Sequence, residues 1–240
     1  MGLFEIFLIS FFSIFQSIFG IGLLVFGTPT FLLLGYDFFD VLNILLQHSI
    51  VISFLQMISS QEKDINFKYR LIKYCLPFLL ISLYFLTVFE KNINFILLTS
   101  FTLIIFSLIN LSNFQKKLLK NISLKKVNFG LIILGIVHGF TNLGGGLLTL
   151  ISTNINYKKS YIRYNIASGY FFLGITQLFF ISFFFLKFDL SYLRYLFIPI
   201  VCFFITQIVY KKINDEFFSK ILNIIVLFYS LYIFISNLIK

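Results

Sequence analysis

Charge is scarce in this sequence, and its scarcity excludes a soluble domain. Charged residues make up 12% of the 240 residues and hydrophobic residues 59%, whereas soluble domains carry about twice that charge. Long apolar runs follow one another with only short polar gaps, which leaves no room for a separate soluble domain. Because a helix needs roughly 20 apolar residues to cross the hydrocarbon core, the length allows about eight spans.

The sequence also lacks the patterns of membrane-embedded enzymes and metal sites. It has no H-E-x-x-H, no G-x-S-x-G and no pair of acidic residues within one apolar run. Cys75 and Cys202 lie inside apolar runs without metal-ligand spacing, and neither histidine has a third ligand nearby. We therefore predict no catalytic residue, no metal and no cofactor, with an intramembrane enzyme as the weaker alternative.

The net charge of +10 comes from basic residues between the apolar runs, where membrane proteins carry their flanking charges. Lysine outnumbers arginine 16 to 3 and Ala167 is the only alanine, so the abundance of lysine follows from a biased composition. We expect a lipid bilayer around the chain and no nucleic-acid partner. The sequence leaves the oligomeric state open, a homo-oligomer included.

We predict an all-α, polytopic membrane helix bundle, because a backbone in lipid must satisfy its own hydrogen bonds. Residues 1–112 form a first membrane repeat, 113–126 a basic cytoplasmic linker, and 127–240 a second membrane repeat of one membrane domain. The predicted spans are Leu3–Phe26, Phe39–Ser59, Tyr74–Phe89, Ile93–Leu111, Val127–Ile151, Tyr161–Leu186, Leu190–Tyr210 and Phe217–Ile235.

The basic segment Ser112–Lys126 predicts the orientation, since cytoplasmic loops carry an excess of Lys and Arg. With eight full crossings, both termini and the loop around Glu62–Lys73 are cytoplasmic as well. This arrangement leaves several basic residues of the second half outside, namely Lys158, Lys159, Arg163, Lys211, Lys212 and Lys220. Either one segment of the second half is re-entrant, or the halves are inverted, which requires an odd number of crossings in each.

Two segments half a chain apart match each other, Phe15–Gln56 and His138–Gln177. The match aligns Gly20-Ile21-Gly22-Leu23-Leu24 with Gly144-Gly145-Gly146-Leu147-Leu148, and a polar break and a second helix follow in each. The pattern predicts an internal duplication with a glycine-rich first helix in both halves.

This repeated pattern resembles the sulfite exporter TauE/SafE family of bacterial inner-membrane permeases, whose halves each carry a G-x-G-G-G motif followed by a stretch with proline. The second copy, Asn142–Leu148, matches the motif but lacks the proline. The first copy, Phe19–Pro29, keeps Gly20, Gly22 and the proline but has Leu23 and Leu24 where glycines are usual. The resemblance implies a multi-pass permease of the bacterial cell membrane that moves a small anion, often sulfur-containing, such as sulfite or an organosulfonate.

Glycines inside these helices allow two interpretations. Small residues let neighbouring helices pack closely. Alternatively, the glycines interrupt the helix and direct the positive end of a half-helix at an anion. Each residue of Gly144–Gly146 costs about 1 kcal/mol of helix stability, and Gly27-Thr28-Pro29 includes a residue without an N–H donor. We therefore favour interrupted first helices in both halves.

Polar side chains converge on these glycines from three spans, and side chains of this kind face the bundle interior. The helical period places polar stripes on the second, fifth and sixth spans, with Ser49, Ser53 and Gln56 on the opposite face of the second. For each residue the alternative is hydrogen bonding between helices. The predicted substrate-binding residues are Gly20, Gly22, Thr28, Pro29, Asn43, Gln47, His48, His138, Thr141, Asn142, Gly144, Gly145, Gly146, Asn165 and Ser168.

The titratable side chains leave further alternatives open. His48 and His138 lie near mid-span, where they either relay protons or hydrogen-bond across helices in the neutral form. Acidic residues lie only near span ends, so transport is coupled through the histidines or driven by the charge of the substrate. Arg163 either attracts an anion or anchors the sixth span at the interface. A non-transporting scaffold protein is the alternative to a transporter.

Overall fold

The computed structural model describes residues 2–89, 92–111, 123–156, 158–184 and 189–214, with the backbone alone over 106–111. It also describes the single positions 218, 224, 228, 229, 231, 232, 235 and 236. None of these residues is in a β-strand. Most of the predicted span Phe217–Ile235 and of the linker 113–126 lies outside the described residues.

The described elements are helical throughout. They are α1 (Leu3–Phe19), a π-helical turn (Leu23–Gly27), α2 (Thr28–Leu33), α3 (Phe38–Ser59), α4 (Ile65–Tyr74), α5 (Leu76–Phe89), α6 (Phe95–Leu111), α7 (Leu124–Thr141), α8 (Gly145–Ile155), α9 (Lys159–Phe184), a 3₁₀ helix (Leu190–Tyr195) and α10 (Phe197–Lys212).

Five segments of the described chain are long and apolar enough to cross a membrane, against eight predicted spans. They are Phe38–Ser59, Ile65–Phe89, Leu124–Thr141, Lys159–Phe184 and Leu190–Lys212. The numbers differ partly because two predicted spans, the first and the fifth, are not continuous. Each is interrupted at its glycines and divides into shorter helices.

The chain reverses direction after α1 and forms a first hairpin (Leu3–Leu33). The Phe12 and Phe26 rings lie 6.2 Å apart across it, and the Tyr36 hydroxyl donates a hydrogen bond to Glu5 near the start of α1. The hairpin therefore begins and ends at the same end of the bundle, which we call the Glu5 end.

The second interrupted helix also forms a hairpin (Leu124–Ile155). Near its start, Arg70 donates a hydrogen bond of 3.5 Å to Asn128 Oδ1. Just after it, Asn156 Nδ2 donates to Asp64 Oδ2 at 3.4 Å. Both ends of this second hairpin thus lie beside the loop between α3 and α4, which we call the Glu62 end.

Helix α3 connects these two ends, and α9 packs antiparallel to it. The Phe54 and Phe171 rings are 5.8 Å apart, and a Cβ added at Gly174 would lie 2.8 Å from Ile50 Cγ1. Because α3 begins just after the first hairpin and ends beside the second, the two hairpins enter the bundle from opposite ends.

Basic residues of the second half lie at the Glu62 end. Lys158 Nζ is 3.6 Å from Glu62 Oε1, and Lys159 Nζ donates to the Tyr210 carbonyl oxygen at 3.2 Å. The prediction from eight full crossings, which placed Lys158 opposite the Glu62–Lys73 loop and the start of α1 beside that loop, is wrong on both points. The cause is that each hairpin returns to the end of the bundle at which it began.

Candidate functional site

Two glycines and a proline shape the reversal in the first hairpin. Gly20 caps α1 in the left-handed conformation (φ +83°), and its N–H donates to the Gln16 carbonyl oxygen at 2.8 Å. Gly22 approaches α1 so closely that a Cβ would lie 2.5 Å from the Gln16 backbone nitrogen, which leaves room only for glycine. The turn Leu23–Gly27 continues into α2, where Pro29 lies in the first turn.

Gln16 holds this first break together from inside the bundle. Its Oε1 accepts a hydrogen bond from the Leu23 N–H at 3.2 Å, and its Nε2 donates to Ser49 Oγ at 2.8 Å. From α3, Gln56 Nε2 donates to the Gln16 carbonyl oxygen at 2.6 Å. The first of these bonds gives a partner to a backbone N–H just beyond the interruption, and the other two hold α1 against α3.

The second break is centred on Asn142, which caps α7 in the left-handed conformation (φ +59°) that asparagine adopts more readily than most residues. Its N–H donates to the His138 carbonyl oxygen at 2.8 Å. The Gly144 N–H donates to His138 Nδ1 at 3.0 Å, so a neutral His138 ring carries its proton on Nε2.

The two breaks are built from equivalent contacts. Gln16 and His138 each accept a hydrogen bond from an N–H just beyond the reversal. Gln56 and Gln177 each donate to the carbonyl oxygen of that accepting residue, at 2.6 and 3.5 Å. The side chain that stabilises each break is therefore different in type but the same in function.

A hydrogen bond joins the two breaks. Asn142 Nδ2 donates to Thr28 Oγ1 at 2.9 Å, and both side chains are fully buried. Beside this bond, a Cβ added at Gly145 would lie 2.7 Å from Val25 Cγ2. The interrupted helices of the two halves therefore meet inside the bundle.

Tyr170 of α9 belongs to this site, although it is not among the predicted binding residues. Its ring is fully buried, 6.3 Å from the centre of the His138 ring. Its hydroxyl lies against Gly145, the first residue of α8, where any Cβ would overlap the oxygen. The available sequence signal is that Tyr170 is seven residues from both Arg163 and Gln177, on one helical face.

The predicted site residues of α3 form their hydrogen bonds outside the breaks. Gln47 Nε2 donates to Asn43 Oδ1 at 2.9 Å and to the Asp189 carbonyl oxygen at 3.1 Å, toward the Glu5 end. His48 Nδ1 contacts a carbonyl oxygen one turn earlier in its own helix at 2.7 Å. The face of α3 that contacts the first break is instead the one carrying Ser49 and Gln56.

The remaining predicted residues divide between the Glu62 end and the second break. Asn165 Nδ2 is 3.4 Å from Asp64 Oδ2, and Ser168 Oγ donates to the Asn165 carbonyl oxygen at 3.0 Å. Thr141 Oγ1 accepts a hydrogen bond from the N–H two residues later at 3.1 Å, and Gly146 lies buried in the first turn of α8.

Several buried polar atoms without a hydrogen-bond partner belong to residues of the second break and of α9 beside it. They are His138 Nε2, Asn142 Oδ1, Thr149 Oγ1, the Tyr170 hydroxyl and Gln177 Oε1. Buried polar groups are nearly always paired, so these atoms have capacity to bind a further polar group. Among the described residues, no three His, Cys, Asp or Glu side chains gather as metal ligands.

Comparison with known proteins gives one family. The family model described as "Sulfite exporter TauE/SafE" matches residues 6–233, nearly the whole chain. This match confirms the resemblance carried by the two glycine motifs. Neither the curated proteins nor the solved structures contain a match to the chain.

Proposed function

The chain belongs to the sulfite exporter TauE/SafE family, and we propose that it carries a small anion past the two helix breaks. Membership makes it a membrane transporter, and its five long apolar helices agree with that assignment. The observation that carries the proposal is the hydrogen bond from Asn142 to Thr28, which connects breaks that belong to hairpins from opposite ends.

An inverted repeat accounts for the paired hairpins and for their matching contacts. In transporters of that kind, substrates bind near the bilayer midplane at the repeat interface, where the N-termini of half-helices face anionic groups. Helix α8 supplies such a terminus, because it starts at Gly145 beside the first break and has no side-chain cap.

Neutral hydrogen-bond donors surround this terminus. His138 Nε2–H and the hydroxyls of Thr149 and Tyr170 are buried without a partner. The segments 18–29 and 141–149 that form the breaks contain no acidic residue, so an anion meets donors there without repulsion from a like charge. A sulfite-type oxyanion, the substrate class that the family name carries, suits this environment.

The distribution of basic residues suggests the orientation. The Glu62 end carries Lys158, Lys159 and Lys211, while Arg194 lies toward the Glu5 end, so we place the Glu62 end in the cytoplasm. The chain is then a multi-pass protein of the bacterial inner membrane. The negative potential inside the cell favours outward movement of an anion.

Flux of labelled sulfite into liposomes that contain the purified protein tests this proposal. Saturable flux is expected, and Asn142→Leu should lower it about tenfold, the equivalent of one lost buried hydrogen bond. Asn142→Gly keeps the left-handed cap and isolates the contribution of the side chain, and the exposed Lys158→Gln serves as the matched control. Unchanged flux in a folded Asn142→Leu protein would refute the site, and flux that never saturates would indicate a pore.

A further inference from the structure

A second polar site lies at the Glu62 end, outside the two breaks. A cavity of about 190 Å³ opens there between α3, α9 and α10. Two cationic side chains, four hydroxyl groups and three amides line it, among them Arg163, Lys211, Ser160 and Gln56. A cavity of this size holds several water molecules or a small oxyanion with part of its hydration shell.

Arg163 contributes a buried positive charge to this cavity. The residue is only 5% exposed, and its guanidinium lies 3.9 Å above the centre of the Tyr210 ring. Its Nη2 donates to Gln207 Oε1 at 3.0 Å, whereas Nε has no hydrogen-bond partner. A buried guanidinium is costly unless an anion balances its charge.

The acidic side chains at this end are engaged elsewhere. Glu62 pairs with Lys158, and Asp64 accepts hydrogen bonds from Asn156 and Asn165. In the part of the chain that the structure describes, no carboxylate forms a salt bridge with Arg163. The cavity is therefore lined by positive charge, and the Arg163 Nε–H beside it has no hydrogen-bond partner.

We propose that this cavity is an oxyanion-binding site. A guanidinium presents its N–H groups in a fork that matches two oxygens of a sulfur or phosphorus oxyanion, and the surrounding hydroxyls donate to the others. Gln56 lines the cavity and also donates to the carbonyl oxygen of Gln16 at the first break. The site thus adjoins the proposed pathway. Its use as a loading site for the substrate rests on the proposed transport function, whereas oxyanion binding itself does not.

Equilibrium binding of labelled sulfite and sulfate to the purified full-length protein in zwitterionic lipid tests this site. Arg163→Gln should weaken binding about tenfold or more, and Arg163→Lys should fall between that variant and the unmodified protein, because lysine keeps the charge but not the fork. Ser160→Phe fills the cavity and leaves Arg163 in place, so it should weaken binding to a similar extent. It tests the site even where Arg163→Gln does not fold. Lys158→Gln, at the same end but outside the cavity, should bind normally.

A second arm identifies the source of the oxyanion. If anionic phospholipid displaces the labelled ion, or is retained on purification in an Arg163-dependent manner, the site accepts lipid phosphate. If only the free ion binds, the site takes its anion from solution. Binding of neither, or binding unaffected by both Arg163→Gln and Ser160→Phe, would overturn the proposal. Asn142→Leu should lower flux but retain the Arg163-dependent binding, so a failure of the carrier and a failure of this site are distinguishable.

Discussion

The substitution Gly145→Ala tests the packing of the second break most sharply. The added Cβ would overlap the Tyr170 hydroxyl oxygen and lie 2.7 Å from Val25 Cγ2 and 2.9 Å from Tyr170 Cζ. Overpacking of this kind costs about 1–3 kcal/mol, and the better helix propensity of alanine offsets up to about 1 kcal/mol. We expect a net loss of about 2 kcal/mol, which lowers the melting temperature of a chain of this length by about 4–8 °C.

The compensating substitution is Tyr170→Phe. By itself it removes a buried hydroxyl that has no partner, so it should be nearly neutral. Combined with Gly145→Ala it removes the overlapping oxygen but leaves Cζ close, so it should restore about 1 kcal/mol, a coupling within the range seen for residues in contact. Thermal unfolding of the four proteins in detergent completes the double-mutant cycle. Additive effects, or a Gly145→Ala protein as stable as the unmodified one, would refute the packing described.

Two further predictions concern the backbone at the breaks. Gly22→Ala should lower the free energy of unfolding by about 3 kcal/mol, because the added Cβ meets the backbone of α1. Gly35 is left-handed (φ +91°) but a Cβ there has nothing within 4 Å, so Gly35→Ala should cost only about 1 kcal/mol. Equal melting temperatures of the two variants would contradict this ranking. His138→Gln keeps an acceptor for the Gly144 N–H, as Gln16 does in the first hairpin, and should be nearly as stable as the original. His138→Phe should lose about 1–3 kcal/mol in chemical denaturation, and equal stability of the two variants would contradict the role of the ring as acceptor.

The interruptions were predictable from sequence, but the direction of the chain after them was not. Gly20, Gly22 and the triplet Gly144–Gly146 weaken a helix in a way that composition reveals. An apolar segment has the same hydropathy whether it crosses the bundle as one helix or turns back as a hairpin of two shorter helices. The reversal depends on contacts such as Phe12 with Phe26, which join residues on two separate helices.

The polar residues that stabilise the breaks could not be identified from the apolar sequence around them. Gln16 is a single amide in a long phenylalanine-rich run, and its partners Ser49 and Gln56 were predicted to face the bundle interior but were not among the predicted binding residues. In the sequence, Tyr170 resembles the other aromatic residues of an apolar helix, and only the contact of its hydroxyl with Gly145 of α8 distinguishes it. Each of these assignments needs a distance between helices, which periodicity within one helix does not provide.

Topology mapping with single cysteines tests the two-hairpin arrangement most directly. Starting from a Cys75→Ala, Cys202→Ser protein, a cysteine is introduced at exposed Lys125, Lys158 or Asp37 and labelled in intact cells with a membrane-impermeant maleimide. The re-entrant second hairpin predicts that Lys125→Cys and Lys158→Cys are both protected until the cells are opened, while Asp37→Cys reacts from outside. Labelling of Lys158→Cys from the side opposite to Lys125→Cys would contradict it.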